Sequence, residues 1–134
     1  MSVLIMVKKI FIVEDDSIYS EFLKKSLRTK YKIYAYYTAE DAIVALKSIT
    51  PDVLIIDYKL PGMNGIELFE NVKDNLAEHT KVIVLSAIDD GNLVLDFIKK
   101  GIRDYVIKDD DVISTLTAII EDSEDIYYDS GITE

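Results

Sequence analysis

Five short apolar runs recur along the chain, at residues 9–13, 31–36, 53–56, 81–85 and 104–107, each followed by a stretch in which apolar residues return every three or four positions. Three runs are continuously apolar: Ile10-Phe11-Ile12-Val13, Val53-Leu54-Ile55-Ile56 and Val82-Ile83-Val84-Leu85. Such runs suit strands buried on both faces. The stretches between them carry helical spacing. Ile18, Phe22, Leu23 and Leu27 are expected to form the apolar side of the first helix, and Ala42, Ala45, Leu46 and Ile49 that of the second. Ile66, Leu68, Phe69 and Val72 mark the third, Val94, Phe97 and Ile98 the fourth, and Val112, Ile113, Leu116, Ile119 and Ile120 the fifth. Thr38 with Asp41, and Asn64 with Glu67, have the spacing of N-terminal caps. Gly101 stops the fourth helix, and Asp109 to Asp111 supply acids at the entry of the fifth. Strict β-α alternation predicts an α/β fold, a doubly wound (βα)5 parallel sheet with helices on both faces. Its connections are right-handed, and its ligands sit at the carboxyl ends of the strands.

Composition narrows this picture. A length of 134 residues suits one domain, and an apolar share of 49% is enough for one core. The absence of cysteine excludes disulfides, thiol catalysis and cysteine zinc sites. The single histidine, His79, is expected in an exposed loop before the fourth strand, away from the strand ends. Net charge is −10, but six acids and no base lie in residues 121–134, which leaves −4 on the rest. Neither part offers the basic stripe that a nucleic-acid backbone requires, so direct nucleic-acid binding is not expected. Residues 1–7 are apolar but too short to span a bilayer, with no preceding basic residue and no cleavage site following. They are read as an N-terminal extension to a domain at 8–121, followed by an acidic tail at 122–134 that includes Tyr127 and Tyr128. The protein is expected to be cytoplasmic, with no membrane partner.

The strand ends carry the chemistry. The first closes on Glu14-Asp15-Asp16, the third on Asp57, the fourth on Ser86 and the fifth on Lys108. Clustered carboxylates raise one another's pKa unless a cation sits among them. Oxygen ligands of this kind suit magnesium, which takes one or two carboxylates together with phosphate oxygens. Lys108 adds a positive charge and Ser86 a hydroxyl donor, an arrangement fitted to phosphoryl transfer. A carboxylate can itself be the nucleophile, which makes Asp57, at the centre of the set, the candidate for an aspartyl phosphate. Singly, Asp15 or Asp16 reads as a helix cap, Ser86 as a strand-end hydroxyl, Lys108 as a surface charge and Tyr105 as packing; their joint placement carries the reading.

Four segments make a resemblance specific: residues 10–16 (IFIVEDD), 57–68 (DYKLPGMNGIEL), 84–87 (VLSA) and 104–108 (DYVIK). Over residues 8–121 the chain resembles the receiver domains of two-component response regulators, chemotaxis regulators among them. The resemblance implies a flavodoxin-like sheet of order 2-1-3-4-5. It implies that Asp57 is the phosphoacceptor and that Mg2+ is bound by Asp15 directly, Glu14 through water, Asp57, and the backbone carbonyl of Lys59. Asp16 caps the first helix. The resemblance also implies that Ser86 and Lys108 bind phosphoryl oxygens and that Tyr105 is an aromatic switch that follows Ser86. The resemblance further implies that Lys59 and Ile88, beside the pocket, tune dephosphorylation. The donor is a sensor histidine kinase or a histidine phosphotransfer protein, and helix 4, strand 5 and helix 5 form the readout surface. The domain is a signalling module whose only reactions are its own Mg2+-dependent phosphoryl transfer and dephosphorylation. With no output domain read after residue 121, the listener is expected to be a separate output protein or an output domain missing from this chain. One departure stands out: the family's lysine is usually followed by proline, commonly cis, whereas Asp109 follows Lys108. A cis bond without proline costs about 3–4 kcal/mol, so a trans bond and an altered loop are expected.

Three competing readings follow from the same residues. A haloacid-dehalogenase-type phosphatase needs its aspartate at the end of the first strand, where Glu14 stands. A flavodoxin-like cofactor binder needs a phosphate loop where this chain has acids. A receiver-like module working without phosphorylation would not need the complete pocket.

Overall fold

The computed structural model describes residues 6–87 and 91–122; Ile88 and the tail tyrosines lie outside the described residues. The elements are β1 (Lys9–Val13), α1 (Ser17–Leu27), β2 (Lys32–Tyr36), α2 (Ala39–Leu46), β3 (Val53–Asp57), α3 (Gly65–Val72), β4 (Lys81–Ser86), α4 (Gly91–Lys99), β5 (Asp104–Ile107) and α5 (Val112–Glu121), with a 3-10 turn at Lys73–Asn75. The three continuously apolar runs become β1, β3 and β4, the central strands of a five-stranded parallel sheet in the order β2-β1-β3-β4-β5. Edge strands β2 and β5 are less apolar and less buried.

Alternation along each central strand divides the core in two. Phe11, Val13, Leu54, Ile56 and Val84 pack with α2, α3 and Phe97 of α4. Ile10, Ile12, Val53, Ile55, Ile83 and Leu85 pack with Leu23 and Leu27 of α1 and Val112, Leu116 and Ile120 of α5. Both expected caps form: Thr38 Oγ1 accepts the Asp41 N–H at 3.0 Å, and Asn64 and Glu67 make a reciprocal capping box. At the entry of α5 the three acids precede Val112 as expected; Asp111 makes no side-chain cap, and Asp109 Oδ1 accepts the Asp111 N–H at 2.9 Å.

Two helix faces differ from expectation. Ile18 is 82% exposed and Phe22 44% exposed, while Ser20, Leu23 and Leu27 are buried. At about 100° per residue, Ile18 and Leu27 lie on opposite sides of the helix and cannot share one face. The buried side instead runs through Tyr19, Leu23 and Leu27, spaced four apart. In α4 only Phe97 is fully buried; Ile98, turned about 100° from it, is exposed along with Leu95.

Tyr31, expected to open β2, precedes it, and its hydroxyl donates to the Glu121 carboxylate at the end of α5. Nearby, Lys8 Nζ donates to the Ile120 carbonyl at 2.7 Å, and Lys81 Nζ to those of Ile119 and Asp122 at 2.8 and 2.9 Å. These cations satisfy carbonyls that a helix end leaves unpaired. Burial, and then the bond to Glu121, push the Tyr31 phenol up to about 12, while that hydroxyl holds Glu121 below the usual carboxylate range. Tyr31→Phe is expected to lower the unfolding free energy by about 1 kcal/mol at neutral pH, the exposure of Glu121 keeping the effect small. The raised Tyr31 value makes its contribution complete below about pH 10 and lost as pH climbs through the folded value. The lowered Glu121 value removes its share as pH falls below about 4. Urea unfolding of both proteins across pH should therefore show a difference largest between these limits; a difference that widens above pH 10 contradicts the pairing.

Candidate functional site

Continuing the strand alternation by one residue selects what meets at the carboxyl edge. Glu14 follows Val13 in phase with Ile12, Asp57 falls in phase with Ile55, and Lys108 with Val106, so all three belong to the α1/α5 side. Ser86 and Tyr105 take the opposite phase, shared with Val84, on the α4 side. The acids and the lysine thus meet beside α1, and the hydroxyl and the aromatic ring beside α4.

Carboxylate oxygens of Glu14, Asp15 and Asp57 lie within 4.8 Å of one another. Glu14 is 1% and Asp57 5% exposed, whereas Asp15 faces solvent. Lys108 Nζ donates to Glu14 Oε1 at 2.6 Å and lies 3.3 Å from Asp57 Oδ1. Glu14 Oε2 accepts the Asp16 N–H at 3.1 Å. Asp16 itself caps α1, its Oδ1 accepting the N–H groups of Ile18 and Tyr19 at 2.9 and 3.2 Å. Burial pushes the Glu14 carboxyl up to about 7, with the Lys108 hydrogen bond working against that rise and Asp57 adding to it. Burial disfavours the charge on Lys108, but Glu14 and Asp57 outweigh it and leave the ammonium harder to deprotonate than usual. One cation among three carboxylates leaves an excess of negative charge with oxygen donors only, the donor set that a hard divalent cation takes.

The turn after β3 is fixed by its backbone. Tyr58 N–H donates to the Leu85 carbonyl at 2.8 Å, and the Tyr58 carbonyl accepts the Gly65 N–H at 2.8 Å. Gly62 supplies the positive φ, +80°, that the turn requires. Gly65 permits a close approach, since a Cβ there would stand 2.7 Å from the Asp57 carbonyl oxygen. Lys59 sits in this turn, exposed, two residues past Asp57.

The Lys108-Asp109 junction has a trans bond, no cis peptide occurring among the described residues. In place of a proline ring, hydrogen bonds shape the loop. The Lys108 N–H donates to the Ser86 carbonyl at 2.9 Å, and the Asp109 N–H to the Ile107 carbonyl at 2.9 Å, a tight three-residue turn centred on Lys108. Asp109 uses the very N–H that proline lacks, and Lys108 reaches the pocket. Ser86 is buried at the end of β4. Tyr105 is half-buried, its ring 5.1 Å from that of Phe97, which in turn lies 5.5 Å from that of Tyr58. His79 is exposed, as expected, and pairs with Asp52 at 3.2 Å, at the amino end of the sheet.

Tyr19 was not among the residues singled out from sequence. Lys108 Nζ stands 4.5 Å from its ring centroid, within cation–π range. Its hydroxyl is buried without a hydrogen-bond partner among the described residues, and burial raises its pKa despite the nearby Lys108 charge. The spacing of Tyr19, Leu23 and Leu27 carries the signal that places it on the inner side of α1.

Residues 10–121 match the response regulator receiver domain family. The chemotaxis protein CheY of Thermotoga maritima is 30% identical over 106 residues, which are 77% of this chain and 87% of that protein. The transcriptional regulatory protein CrdR of Helicobacter pylori is 32% identical over 104 residues, 77% of this chain but 49% of its own length, so the chain spans about half of that relative. The receiver domain of the Francisella response regulator 1452 superposes with a TM-score of 0.75 at 26% identity, covering 84% of this chain and 93% of that one.

Proposed function

The chain belongs to the response regulator receiver domain family, and from that premise we propose that Asp57 is its phosphoacceptor. Receiver domains are signalling domains phosphorylated by histidine kinases, and they bind Mg2+ at an acidic pocket. The observation that carries the proposal is the buried Asp57 carboxylate, held 3.3 Å from Lys108 and within 4.8 Å of the Glu14 and Asp15 carboxylates. Glu14 has both oxygens engaged, by Lys108 and by the Asp16 N–H, and Asp15 is exposed. Asp57 is buried too, and its contact with Lys108 is the longer of the two, 3.3 Å against 2.6 Å.

In the proposed step an Asp57 carboxylate oxygen attacks the phosphorus of a phosphohistidine donor. The P–N bond breaks, its electron pair returns to the imidazole nitrogen, and Asp57 becomes an acyl phosphate. Dephosphorylation reverses the state: water attacks phosphorus, the bond from phosphorus to the Asp57 oxygen breaks, and a proton leaves with inorganic phosphate. The residues present fit Mg2+, with Glu14, Asp15, Asp57 and the Lys59 carbonyl as its holders; when bound it neutralises charge on the transferring oxygens. Lys108 would supply further counter-charge, and the Ser86 hydroxyl a donor on the α4 side. Tyr105 reads that hydroxyl, and its contact with Phe97 connects it to α4, whose exposed Leu95 and Ile98 offer a surface to an output partner together with β5 and α5. Lys59, exposed in the turn two residues past Asp57, is the residue proposed to tune the lifetime of the phosphorylated state. The unit is residues 8–121, with 1–7 and 122–134 as flanks, and it works in the cytoplasm; among the described residues no helix is long and apolar enough to cross a membrane.

Acetyl phosphate replaces the kinase in the test, with acetate as the leaving group. Intact mass spectrometry should show one added phosphoryl group with Mg2+ present and its loss when EDTA removes the metal. An equal gain without Mg2+ contradicts the metal requirement, and no gain with it contradicts the phosphoacceptor reading.

A further inference from the structure

The shortest contact of Lys108 is with Glu14, at 2.6 Å, and not with Asp57, at 3.3 Å. A lysine serving a phosphoryl group on Asp57 has to leave part of that pairing without swinging out to solvent. What bounds it on another side is an aromatic face: the Tyr19 ring, 4.5 Å from Nζ. That ring is itself fixed. It sits in the first turn of α1, whose start is capped by Asp16 through the Tyr19 N–H, and packs with the inner core on the α5 side and against Phe22 at 5.5 Å between centroids.

We propose that Tyr19 is a positioning residue for Lys108, its ring face holding the ammonium over the carboxylate pocket while the N–H donors shift from Glu14 toward phosphoryl oxygens on Asp57. A π face suits this task because its attraction for a cation depends on charge and distance and does not claim a particular N–H direction. The hydroxyl is buried with no hydrogen-bond partner among the described residues, so it is the ring and not the phenol oxygen that acts. The inference rests on the reading of Asp57 as phosphoacceptor.

Initial rates of phosphorylation by acetyl phosphate with Mg2+, followed by intact mass, test it in wild type, Tyr19→Phe, Tyr19→Leu, Lys108→Ala and the Lys108→Ala/Tyr19→Leu double variant. Tyr19→Phe is expected within roughly twofold of wild type, and Tyr19→Leu about three- to tenfold slower, the range of a partly desolvated cation–π contact. With Lys108 already replaced, Tyr19→Leu should change nothing further, since a positioning residue has nothing left to position. A wild-type rate in Tyr19→Leu, an equal loss in Tyr19→Phe, or the same fold-loss in both Lys108 backgrounds overturns the proposal. Should circular dichroism show Tyr19→Leu unfolded, Tyr19→Met takes its place with the same expectations. Absence of phosphorylation in wild type instead overturns the Asp57 reading itself, and this inference with it.

Discussion

Asp57→Asn is expected to abolish acquisition of the phosphoryl group while leaving the fold intact. The amide matches the carboxylate in size, so the buried end of β3 stays filled, and Lys108 keeps its 2.6 Å contact with Glu14. What is lost is nucleophilicity, because the amide nitrogen's lone pair is delocalised and its oxygen is a weak nucleophile toward phosphorus. Stability should hold or rise, since one of three crowded carboxylates is removed and like-charge repulsion falls. Intact mass after acetyl phosphate and Mg2+ measures the first expectation, and urea unfolding the second. An asparagine variant that still gains a phosphoryl group would place the acceptor elsewhere; one that unfolds would make the loss uninformative, and its retained melting transition guards against that.

Gly65→Val is expected to cost stability and function together. A Cβ at residue 65 would stand 2.7 Å from the Asp57 carbonyl oxygen and 3.0 Å from both Ile56 Cγ2 and the Tyr58 Cα. The first of these is backbone that cannot swing aside, so α3 or the end of β3 must move. Overpacking of this kind costs about 3 kcal/mol at the upper end of its usual range, which lowers the melting temperature by on the order of 10 °C for a domain of this size. Either movement disturbs the packing of α3 against the end of β3, the backbone that carries the proposed nucleophile. Phosphorylation of the folded fraction should therefore slow, beyond what the unfolded fraction explains. Gly91→Ala is the control, because a Cβ there meets nothing within 4 Å. A Gly65→Val protein that melts and reacts like wild type would show that the close approach is not needed.

Much of the architecture was legible in residues whose type and spacing leave little freedom. The continuous runs of β1, β3 and β4, short and rich in β-branched residues, suit strands covered on both faces, and the alternation of elements points to a parallel sheet. The caps at Thr38 and Asn64 were readable because a cap is a local matter of four residues. The α1 and α4 faces were not, since apolar residues such as Ile18 and Ile98 can be left in water, and periodicity alone does not tell which side of a helix meets the sheet. Glu14, Asp57, Ser86 and Lys108 were legible as strand-end residues once the topology was in hand, because parallel strands deliver their carboxyl ends to one edge. Their pairing was not: that Lys108 Nζ lies nearer Glu14 than Asp57 is a matter of side-chain placement in three dimensions, and at this junction the sequence showed only that proline was missing. Tyr19 escaped notice for a related reason. An aromatic residue on a helix reads as packing until the lysine above it is seen.

The most direct test of the central claim locates the phosphoryl group chemically. Borohydride reduces an acyl phosphate to the alcohol, so an aspartyl phosphate is converted to homoserine, and peptide mass spectrometry then reads its position. Treated with acetyl phosphate and Mg2+ and then borohydride, the protein should carry homoserine at position 57 and nowhere else. Reduction products at Glu14 or Asp15, or none at all in protein whose mass had risen by one phosphoryl group, would contradict the assignment of Asp57 as the acceptor.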